Sequence, residues 1–148
     1  MPFSIQKKLN QTDLPGWCQN HQIDLCILFG SSVSGRVHPN SDVDIAISSQ
    51  SNDLAVIKVQ LIGELTDIFQ AEIDLIILHA DMSPLLLYEI MIKGQPLFVS
   101  NREILIEKQI YAIKLYEDVP FLKKWQDLSH SVNLERLKNV TANYERKS

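Results

Sequence analysis

Leu25-Cys26-Ile27-Leu28-Phe29-Gly30-Ser31, then ten residues, then Asp42-Val43-Asp44-Ile45-Ala46-Ile47: the reading of these two runs decides the fold. The first, taken from Ile23, is short and almost wholly apolar and stops at a glycine, which marks a buried strand. The second alternates, with β-branched residues on one parity, which marks a strand over 42–47. Between them, residues 30–41 are rich in Ser, Gly, Pro and Asn, the composition of a loop with room for a turn or two of helix. Pro39 would stop any helix there.

Outward from this pair, turn signals separate further periodic segments. Upstream, residues 1–20 read as helical or irregular, with Thr12 or Asp13 as a helix cap and Pro15 in a first turn, where its missing N–H costs little. Downstream, Leu54, Ile57, Leu61, Leu65 and Ile68 recur at steps of three and four and predict an amphipathic helix over 53–69. Glu-Ile-Asp-Leu-Ile-Ile-Leu at 72–78 predicts a strand. A helix over 83–93 is started by Ser83 and Pro84 and ended by Gly94. A short strand follows at 95–100, then helices over 101 to about 116 and 121 to about 144, broken near Val119-Pro120. The order is that of a small α/β domain with helices packed on a sheet.

The composition sets bounds on function. A chain of 148 residues fits one domain with a real core. Eighteen acids against fourteen Lys and Arg leave a net charge of −4, which argues against a surface built to track nucleic-acid phosphates. No apolar stretch approaches the ~20 residues that cross a bilayer. The amino terminus lacks the order of a signal peptide. The two cysteines, Cys18 and Cys26, form no C-x-x-C pair, and Cys26 sits in the apolar run as a buried thiol. A soluble protein of the reducing cytoplasm is expected.

Asp42 and Asp44, two apart on a strand, share one face, while Val43, Ile45 and Ile47 take the other toward the core. Asp74 lies inside the apolar strand at 72–78. If that strand neighbours the first, about 4.8 Å away, three carboxylates can converge. Such a group repels itself: two unit charges ~4 Å apart cost about 4 kcal/mol at an effective dielectric of 20. Either one carboxyl stays protonated or a cation is bound. Oxygen donors without interleaved His or Cys favour Mg²⁺ or Mn²⁺, and a two-metal site would suit phosphoryl displacement. Each acid taken singly reads better as a turn, solvent-facing or edge-strand residue; the three together, after a glycine-serine turn, tip the balance to a metal site. Glu72 shares parity with Asp74 and competes for the third place. Asp74 is preferred because apolar residues flank it, where a carboxylate without a partner is costly.

The loop from Gly30 leaves the end of a buried strand, a position where open α/β sheets bind ligands. Gly30 permits close approach to a phosphate, and Ser31 offers a hydroxyl; read in isolation, the loop serves equally well as a flexible Ser-rich connection. Gly30, four residues, Gly35, Arg36 and Val37 imitate a P-loop but lack its Lys and Ser/Thr. The four scattered histidines have no zinc spacing, and no G-x-S-x-G elbow is present.

Gly30-Ser31 and Asp42-Val43-Asp44, with Gly35 and Pro39-Asn40-Ser41-Asp42 between, resemble the signature of the DNA polymerase β-type nucleotidyltransferase superfamily. The stretches Glu72-Ile73-Asp74-Leu75, Ser83-Pro84-Leu85-Leu86 and Tyr88-Glu89-Ile90 resemble its smallest members, the minimal nucleotidyltransferase (MNT) antitoxins encoded beside HEPN ribonuclease toxins. The resemblance spans about residues 25–99. It implies an α/β (α+β) fold, a small mixed β-sheet with packed helices. The nucleotidyltransferase core would cover about 23–99 and C-terminal helices about 101–145, in a single domain of residues 1–148. It also implies that Asp42 and Asp44 ligate two Mg²⁺ ions and that Asp74 completes the site and helps deprotonate the attacking hydroxyl. Gly30 and Ser31 would hold the β- and γ-phosphates of ATP, with Ser41 and Arg36 joining the nucleotide site. AMP would pass to a tyrosine of the HEPN toxin and silence it. Many such proteins carry Arg where this chain has Ser34; Arg36, two residues on, could supply that cation. The alternatives are a binding antitoxin that acts by masking, and a small-molecule nucleotidyltransferase, for which the fifty or so residues after Val99 leave little room. For a partner interface, Ile104, Leu105, Ile106, Ile110, Tyr111, Ile113 and Leu115 put apolar groups on several faces of one helix; burial between sheet and last helix explains them equally well.

Overall fold

The computed structural model describes residues 13–30, 33 and 42–118. They form α1 (Leu14–Asn20), β1 (Leu25–Phe29), β2 (Val43–Ser48), a 3₁₀ turn (Leu54–Ile57), α2 (Lys58–Phe69), β3 (Ile73–Ile77), α3 (Pro84–Met91), β4 (Gln95–Val99) and α4 (Arg102–Glu117). The helix expected over 121–144 lies outside the described residues, as do the first twelve.

Local chemistry accounts for the boundaries. Asp13 caps α1 by accepting the Gly16 N–H at 3.0 Å, with a proline in the first turn. Gln22 turns the chain at φ +57°, and the Ile23 N–H donates to the Cys18 carbonyl. Ile23 is therefore buried against α1 without joining the ladder, and β1 begins two residues later than the apolar run suggests. The expected helix over 53–69 is divided. Asp53 caps a 3₁₀ turn by accepting the Ala55 N–H, and regular α-helix starts only at Lys58, a common way for a helix to open. Ser83 caps α3 and Asn101 caps α4.

The sheet order is β3-β2-β1-β4. β1 runs antiparallel to β2 and β4, whereas β2 and β3 are parallel. A parallel pair needs a crossover, which the 3₁₀ turn and α2 supply. Pro96 falls on the edge strand β4, where the absence of an N–H is tolerated.

Helices cover both faces of the sheet. Val43, Ile45, Ile47 and Leu75 pack with Leu14 and Cys18 of α1 and Leu61, Leu65 and Phe69 of α2. Leu25, Ile27, Phe29 and Ala46 pack with Leu87, Ile90 and Met91 of α3 and Ala112 of α4. Each fully buried Leu or Ile contributes roughly 1.5–3 kcal/mol. The second core is the point at which the structure goes beyond the alternation in β2. The parity that carries the acids is not a solvent face throughout, because from Ala46 onward it is roofed by α3 and α4. Most apolar residues of α4 are used inside the fold: Ile104, Leu105, Ala112 and Leu115 pack in or on the second core, Ile113 and Tyr116 cluster with Tyr88 and Ile92, and Ile106 is buried. Cys18 and Cys26 are free and buried. A hydrogen bond with Cys18, and burial, push the Cys26 thiol well up, consistent with an inert core residue.

Candidate active site

Topology brings the start of β2, the start of β3 and the end of β1 to one end of the sheet. Asp44 pairs with Phe29 of β1 on one side and with Asp74 of β3 on the other. Because register partners in adjacent strands point to the same side, the Asp44 and Asp74 carboxylates stand next to each other, about one strand spacing (~4.8 Å) apart at the backbone. Asp42 lies two residues before Asp44, just ahead of β2, and is exposed. The Val43 N–H donates to the Glu72 carbonyl at 2.8 Å, which ties together the entries to both acid-bearing strands.

The electrostatics follow. Asp44 is held above the ordinary aspartate range, first by burial, then by the charge of Asp74 and a hydrogen bond with it, then by the charge of Asp42. Asp74 thus acts on Asp44 through contact, Asp42 through charge alone. Phe29, buried beside Asp44, supplies part of the apolar wall. Its role was not apparent in the sequence, although its place directly before the glycine is the signal.

Gly30 closes the site from the third side. Its φ is +73°, and a Cβ built on it would stand 2.3 Å from Asp44 Oδ2. Only glycine combines that backbone with so close an approach to a carboxylate. Of the sequence-predicted residues, the structure therefore gathers Gly30, Asp42, Asp44 and Asp74 at one end of the sheet. Ser31, Arg36 and Ser41 lie outside the described residues, as does Ser34. Glu72 contributes its backbone carbonyl and does not appear among the charges acting on Asp44.

Among the described residues no three His, Cys, Asp or Glu side chains are gathered as a finished metal cage. The donor set nevertheless suits a hard divalent cation. It is all carboxylate oxygen, and the charge of Asp42 and Asp74 on Asp44 is the repulsion such an ion would relieve.

A model of the family described as polymerase beta, nucleotidyltransferase matches residues 14–103, and the chain belongs to that family. Among solved structures, it is similar to a chain of the complex of tri-AMPylated Shewanella oneidensis HEPN toxin with MNT antitoxin. The two are 18% identical, with 83% of this chain and 93% of that chain covered and a TM-score of 0.59. A chain of the toxin–antitoxin MntA–HepT crystal structure is 19% identical, over 83% of this chain and 94% of that one, with a TM-score of 0.59. A chain of a toxin–antitoxin crystal structure with AMP-PNP is 22% identical, over 95% and 96% of the two chains, with a TM-score of 0.51. Likeness at such identities is likeness of fold. No curated protein matches the chain. Among the described residues no helix is long and apolar enough to cross a membrane.

Proposed function

We propose that this polymerase β-type nucleotidyltransferase is an antitoxin that transfers AMP from ATP to a tyrosine hydroxyl of a cognate HEPN ribonuclease toxin and thereby neutralises it. The observation that carries the reading is Asp44 set opposite Asp74 across the β2–β3 pair and against the left-handed Gly30, its carboxyl raised by burial and then by Asp74 and Asp42, in a chain whose fold resembles those of toxin–antitoxin complexes.

In this reading Asp42 and Asp44 would hold two Mg²⁺ ions, with Asp74 as the further ligand. The bound ions would neutralise phosphate charge and favour ionisation of the attacking hydroxyl. Gly30 and Ser31 take the β- and γ-phosphates, and Ser41 and Arg36 complete the nucleotide site. Asp74 orients the acceptor hydroxyl and accepts its proton. The phenolic oxygen bonds to the α-phosphorus, the bond from that phosphorus to the bridging α–β oxygen breaks, and pyrophosphate leaves with the electron pair. The two buried free thiols suit a cytoplasmic, reducing environment.

The test is labelling of the HEPN-domain product of the adjacent reading frame with ATP labelled on the adenosine or α-phosphate, in Mg²⁺, by the wild type and by the Asp42→Asn/Asp44→Asn variant. Loss of metal-ligand charge at a phosphoryl centre removes several kcal/mol of stabilisation, so label should fall by more than about a hundredfold. Neutralisation that survives the substitutions with no label on the toxin would favour masking instead. Label found only on added small molecules would move the protein to the third class.

A further inference from the structure

Away from the acids, one stretch of surface has features that neither core uses. Tyr111, in the middle of α4, is 45% exposed, whereas Ile106, Ile113 and Tyr116 of the same helix are buried. It bounds two adjoining hollows. One, of about 160 Å³, is lined by Leu78, His79, Ala80, Leu87, Lys108 and Tyr111. The other, of about 250 Å³, is lined by Glu107, Ile110, Tyr111 and Lys114. Lys108 and Lys114 are each one turn from Tyr111 on the helix. Two lysines, Lys108 and Lys114, therefore flank one glutamate, Glu107, here, in a chain whose net charge is −4.

The hollows lie on the same side of the sheet as the candidate site. Alternation along β3 puts Asp74, Ile76 and Leu78 on the same side of the sheet. Ile76 and Leu78 pack on the second core, and the Leu78 N–H extends the ladder by donating to the Ile47 carbonyl at 2.9 Å. Four residues of strand separate Asp74 from Leu78 by about 13 Å. A protein interface of standard size buries roughly 800 Å² per partner, a patch roughly 16 Å in radius. A protein that presents an acceptor hydroxyl at Asp74 therefore reaches the hollows beside Tyr111. A small-molecule acceptor does not.

The geometry points to the double hollow around Tyr111 as the docking point of the acceptor protein, which would seat there a segment carrying an acidic side chain next to an apolar one. This inference rests on the proposed function and adds the surface and the partner chemistry. Tyrosine is a frequent interface anchor, with an apolar body and a polar tip. The flanking lysines complement an acidic segment and steer its approach.

The experiment measures affinity and transfer separately in the full chain. With the HEPN-domain protein as probe, Tyr111→Ala is expected to raise the dissociation constant and the KM for that protein by at least about tenfold, a typical loss for an anchor residue. kcat and the KM for ATP should be unchanged. Lys108→Glu should slow association and abolish part of its salt dependence, and Tyr111→Phe should retain most of the affinity. Wild-type affinity in Tyr111→Ala, or a raised KM for ATP, overturns the assignment. If the wild type binds the probe without labelling it, the transfer reading fails and the dissociation constants still decide the docking surface. If the wild type does not bind the probe at all, both fall together.

Discussion

Gly30 and Asp44 meet so closely that a larger side chain at Gly30 would displace the carboxylate. The glycine has a φ of +73° and leaves room for the carboxylate only because it has no Cβ. Gly30→Ala is expected to lose about 1–2 kcal/mol from backbone strain alone, and more as Asp44 is displaced. Urea unfolding reads the loss. An unchanged midpoint would show that the backbone relaxes and that the close approach is not required. Asp44 acts in the opposite sense. Its carboxyl titrates above the ordinary aspartate range in the folded chain, because burial, Asp74 and Asp42 disfavour its charge. Between the unfolded value, about 3.8, and the raised folded value, the folded chain binds the extra proton. Stability from this group therefore falls as pH rises through that window, and the folded state carries the penalty at neutral pH. Asp44→Asn should be more stable than the wild type near pH 7, with the difference shrinking as pH falls toward the unfolded aspartate value. Thermal melts across that range, without divalent cations, check both the sign and the pH trend. A group that weakens the fold at one end of the sheet, beside a glycine whose lack of a Cβ makes room for it, is the arrangement expected where charge is held for chemistry.

Between elements, one glutamate does much of the tying on the other face of the sheet. Glu64 of α2 accepts from Trp17 Nε1 at 2.9 Å and from His21 Nε2 at 2.7 Å, at the end of α1, while Gln60 Nε2 donates to its second oxygen at 3.0 Å. Burial pushes the Glu64 carboxyl up, but the hydrogen bonds from Gln60, His21 and Trp17 together outweigh it and bring it below the usual range. A depressed carboxyl contributes stability that is present above its unfolded value, 4.5, and lost as pH falls through the lower folded value. Glu64→Ala is expected to cost about 1–2 kcal/mol at neutral pH and to remove that part of the acid sensitivity. Hydrogen exchange should rise in the amides of α1 before those of β1. Equal protection of α1 in the variant and the wild type would mean that Leu14 and Cys18 anchor it alone. No local pattern announces this contact, because Trp17 and Glu64 are 47 residues apart. The elements themselves were legible: apolar steps of three and four marked α2, alternation marked β2, and Ser83-Pro84 marked the start of α3. Their pairing was not, since register and neighbour order are long-range properties.

At the scale of the whole molecule, the same distinction explains what the sequence did and did not disclose about the site. Asp42, Asp44 and Asp74 stand out as acids in or against apolar strands, yet only the parallel β2–β3 pairing sets Asp74 opposite Asp44. The second core was hidden for a related reason. The alternation over 42–47 marks only Val43, Ile45 and Ile47 for the core, and only the packing of α3 and α4 shows that the other face is covered from Ala46 onward and that the acids occupy its uncovered end. A sheet roofed on both sides, with repelling carboxylates left at one edge, should respond to its ligand through global stability. A ligand that binds only the folded chain stabilises it by about 2.7 kcal/mol at a hundred times its Kd, or about 5–10 °C in Tm for a chain of this size. With Mg²⁺ and a non-hydrolysable ATP analogue at that excess, the wild type should gain such a shift, and neither component alone should match it. The Asp42→Asn/Asp44→Asn variant should begin from a higher Tm, because its charges no longer repel, and gain little on addition of both. A wild type that does not shift, or a variant that shifts as far, would mean that these acids do not hold the metal–nucleotide pair, whatever the fold.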